Sequence, residues 1–218
     1  MVVRQSTSFV ATGVALEADV VVPDPAHGVV VFAHGSGSGR HSPRNRHVAA
    51  ELQRAGLATV LMDLLTPEEE TADTLVAPRF DIGLLASRLV SVTDRMATCE
   101  SLTGLGIGLF GGSTGAGAAL VAAAERPGAV RAVVSRGGRP DLAGEHLTRV
   151  RQPTLLIVGE RDPVVIDLNR AALACLPPDS RIALVPGAAH LFEEPGALDR
   201  VAALTRTWFT RHLSRDDA

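Results

Sequence analysis

The chain contains no lysine and no tyrosine among its 218 residues. The first absence removes every mechanism that depends on a lysine amine, from Schiff bases to the phosphate-cradling lysine of a P-loop. The basic side chains are therefore 21 arginines, set against 24 acidic residues for a net charge of -3. That balance leaves no electrostatic footprint for nucleic acid. Aromatic residues make up only 3% while hydrophobic residues make up 46%, so Val, Leu and Ala must build the core. The two cysteines, Cys99 and Cys175, fall in separate helical runs and do not suggest a disulfide framework. No apolar run approaches the ~20 residues of a membrane span. The first ten residues include Arg4, Gln5 and Ser6 and have no apolar stretch of the signal-peptide kind. These features predict a cytoplasmic protein with neither nucleic acid nor membrane as partner. The length suits one domain over 1–218 with a sizeable core.

What the chain does have is an alternation of short apolar runs with amphipathic ones. Strands are predicted at Phe9–Thr12, Leu16–Val22, Val29–Ala33, Ala58–Asp63, Leu105–Phe110, Val130–Ser135, Pro153–Gly159 and Arg181–Pro186. Helices are predicted at Arg46–Ala55, Phe80–Thr98, Ala116–Glu125, Val164–Leu176 and Gly196–Leu213. In Phe80–Thr98, the residues Ile82, Leu85, Leu89, Val92 and Met96 share one face. Thr66–Pro78 reads as a polar loop. This order implies an α/β fold with a mostly parallel central sheet and helices on both faces.

The string Gly111-Gly112-Ser113-Thr114-Gly115 lies between the Leu105–Phe110 strand and the Ala116–Glu125 helix. G-x-S-x-G in that setting is the pattern of a nucleophile elbow, where small neighbours let a strained turn push a serine hydroxyl out above a sheet. A serine needs a base, and the base needs an acid to fix its tautomer. Asp162 and His190 each follow a predicted strand end, giving the order Ser, Asp, His. Strand ends of an open α/β sheet border the crevice where ligands bind. Upstream, Val29–Ala33 runs into His34-Gly35-Ser36-Gly37-Ser38-Gly39. The backbone N–H groups of Ser36 and Thr114 are the expected oxyanion donors.

Other assignments compete for these residues. Asp162 precedes Pro163 and could cap a helix, and Glu160 could take the acid role. His34 reads as a brace for the glycine loop, and His27, His41, His146 and His212 as solvated. His34, His41 and His47 have no recognised ligand spacing, so neither a metal nor a cofactor is expected. Gly106–Gly111 matches the dinucleotide pattern G-x-G-x-x-G, but inside a strand rather than after one. A short-chain dehydrogenase would need a tyrosine and a lysine, and both are missing.

Together the segments HGSGSGRHSPRN, GGSTGAG, SRGGRPDLAG, VGERDPVV and GAAHLFEEPG resemble the α/β-hydrolases, most closely the small, lidless dienelactone-hydrolase-like group. The resemblance runs from about Val20 to Leu213. It is strongest to a bacterial branch in which some members are fused to phosphoribosyltransferase domains. It implies an α/β-hydrolase fold, a Ser113–His190–Asp162 triad and a small acyl substrate. Dienelactone hydrolases proper carry cysteine at the elbow, whereas this chain has Ser113, which favours a general ester or thioester. About fifteen residues separate Ser135 from the next strand, where lids of this fold insert, so no large lid is expected. A non-catalytic binding module on the same fold is the alternative.

Arg40, Arg44 and Arg46 follow the glycine loop, and Arg136 and Arg139 follow the sixth strand. Surface ion pairing with Glu68–Glu70 and Asp141 would account for them. A functional reading makes Arg136, Arg139 and Arg44 substrate-binding residues that clamp an anionic substrate.

Overall fold

The computed structural model describes residues 1–72, 77–99 and 102–214. Eight strands form one sheet: β1 Val2–Ala11, β2 Val14–Pro23, β3 Gly28–Ala33, β4 Leu57–Met62, β5 Gly106–Gly112, β6 Val130–Arg136, β7 Thr154–Gly159 and β8 Arg181–Val185. Their spatial order is β1-β2-β4-β3-β5-β6-β7-β8. The pairs β1–β2 and β2–β4 are antiparallel, and the other neighbours run parallel. From β3 the chain moves outward to β4, then returns to the other flank of β3 as β5. The C-terminal ends of β3 and β5 therefore flank a topological switch point, where such sheets open a crevice.

Among the described residues six α-helices accompany the sheet: α1 Pro43–Arg54, α2 Pro67–Glu70, α3 Ile82–Thr98, α4 Thr114–Glu125, α5 Pro163–Leu173 and α6 Ala197–Leu213. Leu85, Leu89, Val92 and Met96 of α3 pack with the alanines of α4 on one face of the sheet. Val48 and Leu52 of α1 pack with Val201, Phe209 and Leu213 of α6 on the other. Every residue of β3, β4, β5 and β7 is buried, as parallel strands covered on both faces must be. The run from Thr114 to Ala124 in α4 is buried throughout. That explains its alanines and glycines, because a helix enclosed on all sides has room only for small side chains. No helix among the described residues is long and apolar enough to cross a membrane.

Several boundaries differ from the sequence expectation. The first strand begins seven residues earlier than Phe9, because its polar residues form an exposed edge paired to β2 through a Thr12–Gly13 turn with φ of 49° and 81°. Helix α1 begins at Pro43, with the Ser42 hydroxyl accepting from the Asn45 N–H. The expected loop at 66–78 contains α2, nucleated by a reciprocal capping box between Thr66 and Glu69; residues 73–76 of that loop lie outside the described residues. Between β6 and β7 stands only a 3-10 segment, Pro140–Arg149, broken at Gly144. No large lid is present among the described residues.

Arg88 of α3 is 2% exposed. Its guanidinium donates to both carboxylate oxygens of Glu69 (2.6 and 2.7 Å), to the Leu64 carbonyl (2.8 Å) and to the Thr12 hydroxyl (3.0 Å). One side chain thus joins α3 to α2, to the chain after β4 and to the β1–β2 turn. The hydrogen bonds from Arg88 hold the Glu69 carboxyl below the usual carboxylate range. A depressed carboxylate adds stability that is complete above its unfolded pKa and is lost as pH falls through its folded one. Arg88→Met should cost about 3 kcal/mol, the low end for a broken buried pair, because Glu69 is 27% exposed. Urea unfolding at neutral pH and at pH 3 checks this: the wild-type–variant gap should narrow in acid.

Candidate active site

Ser113 links β5 to α4 with φ 50° and ψ -121°. A non-glycine residue holds such a backbone only where its surroundings impose it, and here the imposition is steric. A Cβ on Gly111 would lie 2.4 Å from Ala116 Cα, and one on Gly115 would lie 2.3 Å from the Ala33 carbonyl oxygen. The turn is therefore pressed against the end of β3 on one side and its own helix on the other. The Ser113 carbonyl accepts from the N–H groups of Ala116 and Arg139, both at 3.1 Å.

His190 follows β8, and Asp162 follows β7. The His190 Nδ1–H donates to Asp162 Oδ2 at 2.7 Å. A carboxylate only accepts, so this bond fixes the proton on Nδ1 and leaves the Nε2 lone pair available in the neutral ring. Asp162 makes no capping bond to α5. Glu160 is turned away and accepts from the Gly187 N–H at 2.9 Å. Gly137, next after β6, brings His190 close to the elbow: a Cβ there would be 3.7 Å from His190 Cε1, while the preceding Arg136 carbonyl accepts from the Ser113 N–H at 3.3 Å.

The glycine loop after β3 is tied down residue by residue. Gly35 passes so near the elbow that a Cβ would lie 3.0 Å from Ser113 Cβ. His34 is buried, with Nε2 accepting from the Leu64 N–H at 2.8 Å and Nδ1–H donating to the Gly35 carbonyl at 2.9 Å. It is a brace, as the sequence suggested. The Gly37 N–H donates to Glu70 at 3.1 Å, and Arg40 pairs with Asp63. The Ser36 N–H, one of the two expected oxyanion donors, donates to Thr114 Oγ1 at 3.0 Å. Sequence reasoning assigned only the backbone of Thr114. Its side chain was the missed element, signalled only by a hydroxyl residue standing directly after Ser113.

A family profile described as an alpha/beta hydrolase domain matches residues 26–204. The chain belongs to the α/β-hydrolase family. A dienelactone hydrolase from Anabaena variabilis superposes with a TM-score of 0.93 at 55% identity, covering 97% of this chain and 99% of that one. The hydrolase is thus a lidless member of the dienelactone-hydrolase-like group. Est1E from Butyrivibrio proteoclasticus has the same fold, with a TM-score of 0.79 at 14% identity over 94% of this chain and 98% of that one. Two Mycobacterium tuberculosis sequences, from strains CDC 1551 and H37Rv and provisionally named phosphoribosyl transferases, are 57% identical over 96% of this chain. The hydrolase spans 46% of their length.

The structure separates the arginines of the hydrolase into two sets. Arg139, one of the three expected substrate ligands, forks onto the Asp141 carboxylate at 2.7 and 2.8 Å, so its charge is matched by a neighbour two residues away. Arg46 faces Asp19 at 3.5 Å. Arg136 and Arg44 are the other set. Arg136 Nε and Arg44 Nε are both buried without a hydrogen-bond partner. Desolvation, then the nearby Arg44 charge, pushes the Arg136 pKa down to about 10. It still carries its proton at neutral pH.

Clear surface clefts lie away from Ser113. One of about 420 Å³ runs between β2 and α1 and is lined by Gln5, Asp19, Arg46 and Gln53 among others. Its walls bring together no nucleophile, base and acid, so chemistry rather than depth marks the site around Ser113. Among the described residues no three His, Cys, Asp or Glu side chains converge to hold a metal ion. The tight seam at Gly115 gives a direct check. Gly115→Ala should cost about 3 kcal/mol or more, the upper end of overpacking. Gly128→Ala, where a Cβ meets nothing within 4 Å, should leave the melting temperature nearly unchanged in the same calorimetry.

Proposed function

We propose that this hydrolase cleaves a small ester or thioester through an acyl-enzyme intermediate on Ser113. His190 acts as base and Asp162 orients it. The observation that carries the reading is the 2.7 Å His190–Asp162 bond, beside a serine held at φ 50°. The likeness to a dienelactone hydrolase at 55% identity supports it. A hydroxyl in place of a thiol at the elbow favours general esters over dienelactone.

In the first step Ser113 Oγ bonds to the acyl carbon, and its proton passes to His190 Nε2. Asp162 stabilises the resulting imidazolium. The carbonyl oxygen takes the negative charge beside the N–H groups of Ser36 and Thr114. In the resting protein Thr114 Oγ1 accepts from Ser36, which keeps that donor in place until the oxyanion competes for it. Removing one such donor typically costs ~3–4 kcal/mol of transition-state stabilisation. The bond to the leaving group then breaks, and the imidazolium gives that group its proton. Water repeats the sequence on the acyl-enzyme, with His190 taking a proton from water and returning it to Ser113. The steps use no metal or cofactor.

Ser113→Ala should remove esterase activity on 4-nitrophenyl acetate, and His190→Ala should lose a comparable factor, on the order of 10⁴–10⁶ in kcat. Wild-type turnover in Ser113→Ala would contradict the proposal. The kcat/KM profile should fall on the acid side with unit slope, because the base works only when neutral. An open site without a lid buries little of a long chain at ~0.8 kcal/mol per CH₂. In a 4-nitrophenyl ester series, acyl groups of roughly two to six carbons should therefore be preferred. A steep preference for long chains would contradict the open site.

A further inference from the structure

Arg136 is placed by the sheet against the elbow. It pairs in register with Gly112, the residue before Ser113. A Cβ on Gly112 would stand only 2.6 Å from its Nη2. Glycine at 112 thus makes room for a guanidinium at the base of the nucleophile turn. Its Nε is buried with no acceptor. Among the described residues no carboxylate pairs with it, although 24 acidic residues are available in the chain. The charge that does act on it is another cation, Arg44. Arg44 lies in the first turn of α1, beyond the glycine loop. Its Nε is likewise buried and unpartnered, and its one carboxylate, Glu193, sits 3.4 Å away and is 70% exposed.

Burying a cation without a counter-charge is costly, and bringing a second cation near raises the cost. Arg40 and Arg139 avoid it, since each has an aspartate. Arg136 is left without a counter-charge beside the elbow, and Arg44, the cation that acts on it, has only the exposed Glu193 and an unpartnered Nε. A guanidinium fork matches carboxylate and phosphate oxygens two at a time. We propose that Arg136 and Arg44 form an anion subsite next to Ser113 that holds a carboxylate or phosphate group of the substrate. The inference rests on the serine-hydrolase reading for its meaning, though the subsite itself can be tested without turnover.

The test is calorimetric titration of Ser113→Ala protein with inorganic phosphate and, separately, glutarate. At least one anion should bind saturably, and which one binds better distinguishes a phosphate from a carboxylate substrate. Arg136→Met in the same background should weaken that binding roughly ten- to hundredfold, the loss of one charge-assisted contact. Arg136→Lys should recover part of it. Arg136→Met should also raise Tm by ~2–4 °C, since it removes an unpaired buried charge. A purely structural arginine would instead lower Tm when replaced. Absence of saturable binding by either anion, or binding indifferent to Arg136→Met, overturns the subsite. Neither result bears on whether Ser113 is the nucleophile, because the variant cannot turn over. In protein with Ser113 intact, the Arg136→Met change should lower the ratio of kcat/KM for 4-nitrophenyl hemiglutarate over 4-nitrophenyl butyrate if the anion sits on the acyl side. An unchanged ratio with intact glutarate binding places the anion on the leaving-group side.

Discussion

The close approach of β5 and α4 at the end of β3 is the constraint on which the site depends. Gly115 leaves no space for even a methyl group against the Ala33 and His34 carbonyls, and Gly111 leaves none against Ala116. That contact forces Ser113 to positive φ and so decides where its hydroxyl can go. It also sets the start of α4, and with it the N–H and hydroxyl of Thr114. The loop after β3 then follows, because Ser36 bonds to Thr114 and Gly35 lies against Ser113. Two segments distant in sequence are thereby held to one another largely by backbone contact, with the Thr114 hydroxyl as one added tie.

Electrostatics around this frame divides into satisfied and unsatisfied parts. The braces are fully paired: His34 uses both ring nitrogens, Arg40 has Asp63, and Arg88 has Glu69 with two further acceptors. Pairing of that kind fixes geometry and is sensitive to losing either partner. Arg136, beside the elbow, departs from it. Natural proteins keep local costs of this sort chiefly where function requires them. The contrast between the braced loop and the unpaired Arg136 is the ground for the proposed anion subsite.

Much of the sheet was legible in the sequence because its central strands are buried on both faces. β3, β4, β5 and β7 read as unbroken apolar runs, and a G-x-S-x-G string between one such run and an alanine-rich one had few alternative structures. The loops carrying Asp162 and His190 could be placed for the same reason, since each follows a strand. The edge was not legible. Residues 4–8 are polar and mostly exposed, and only pairing with β2 makes them a strand. Arg88 was missed because an arginine on an amphipathic helix ordinarily faces water; its partner lies 19 residues away, brought there by a capping box that local reading had left as loop. Whether a given arginine is paired depends on where every carboxylate falls, so Arg139 and Arg136 could not be told apart before the fold placed Asp141.

The central claim is that the elbow turns Ser113 alone into a nucleophile. The direct measurement is peptide mapping by mass spectrometry after brief treatment with a fluorophosphonate, on folded wild-type protein and on His190→Ala. A single adduct on the peptide containing Ser113, nearly absent in His190→Ala, is the predicted result. An adduct on a different residue, or an unmodified Ser113 in protein shown to be folded, would contradict it.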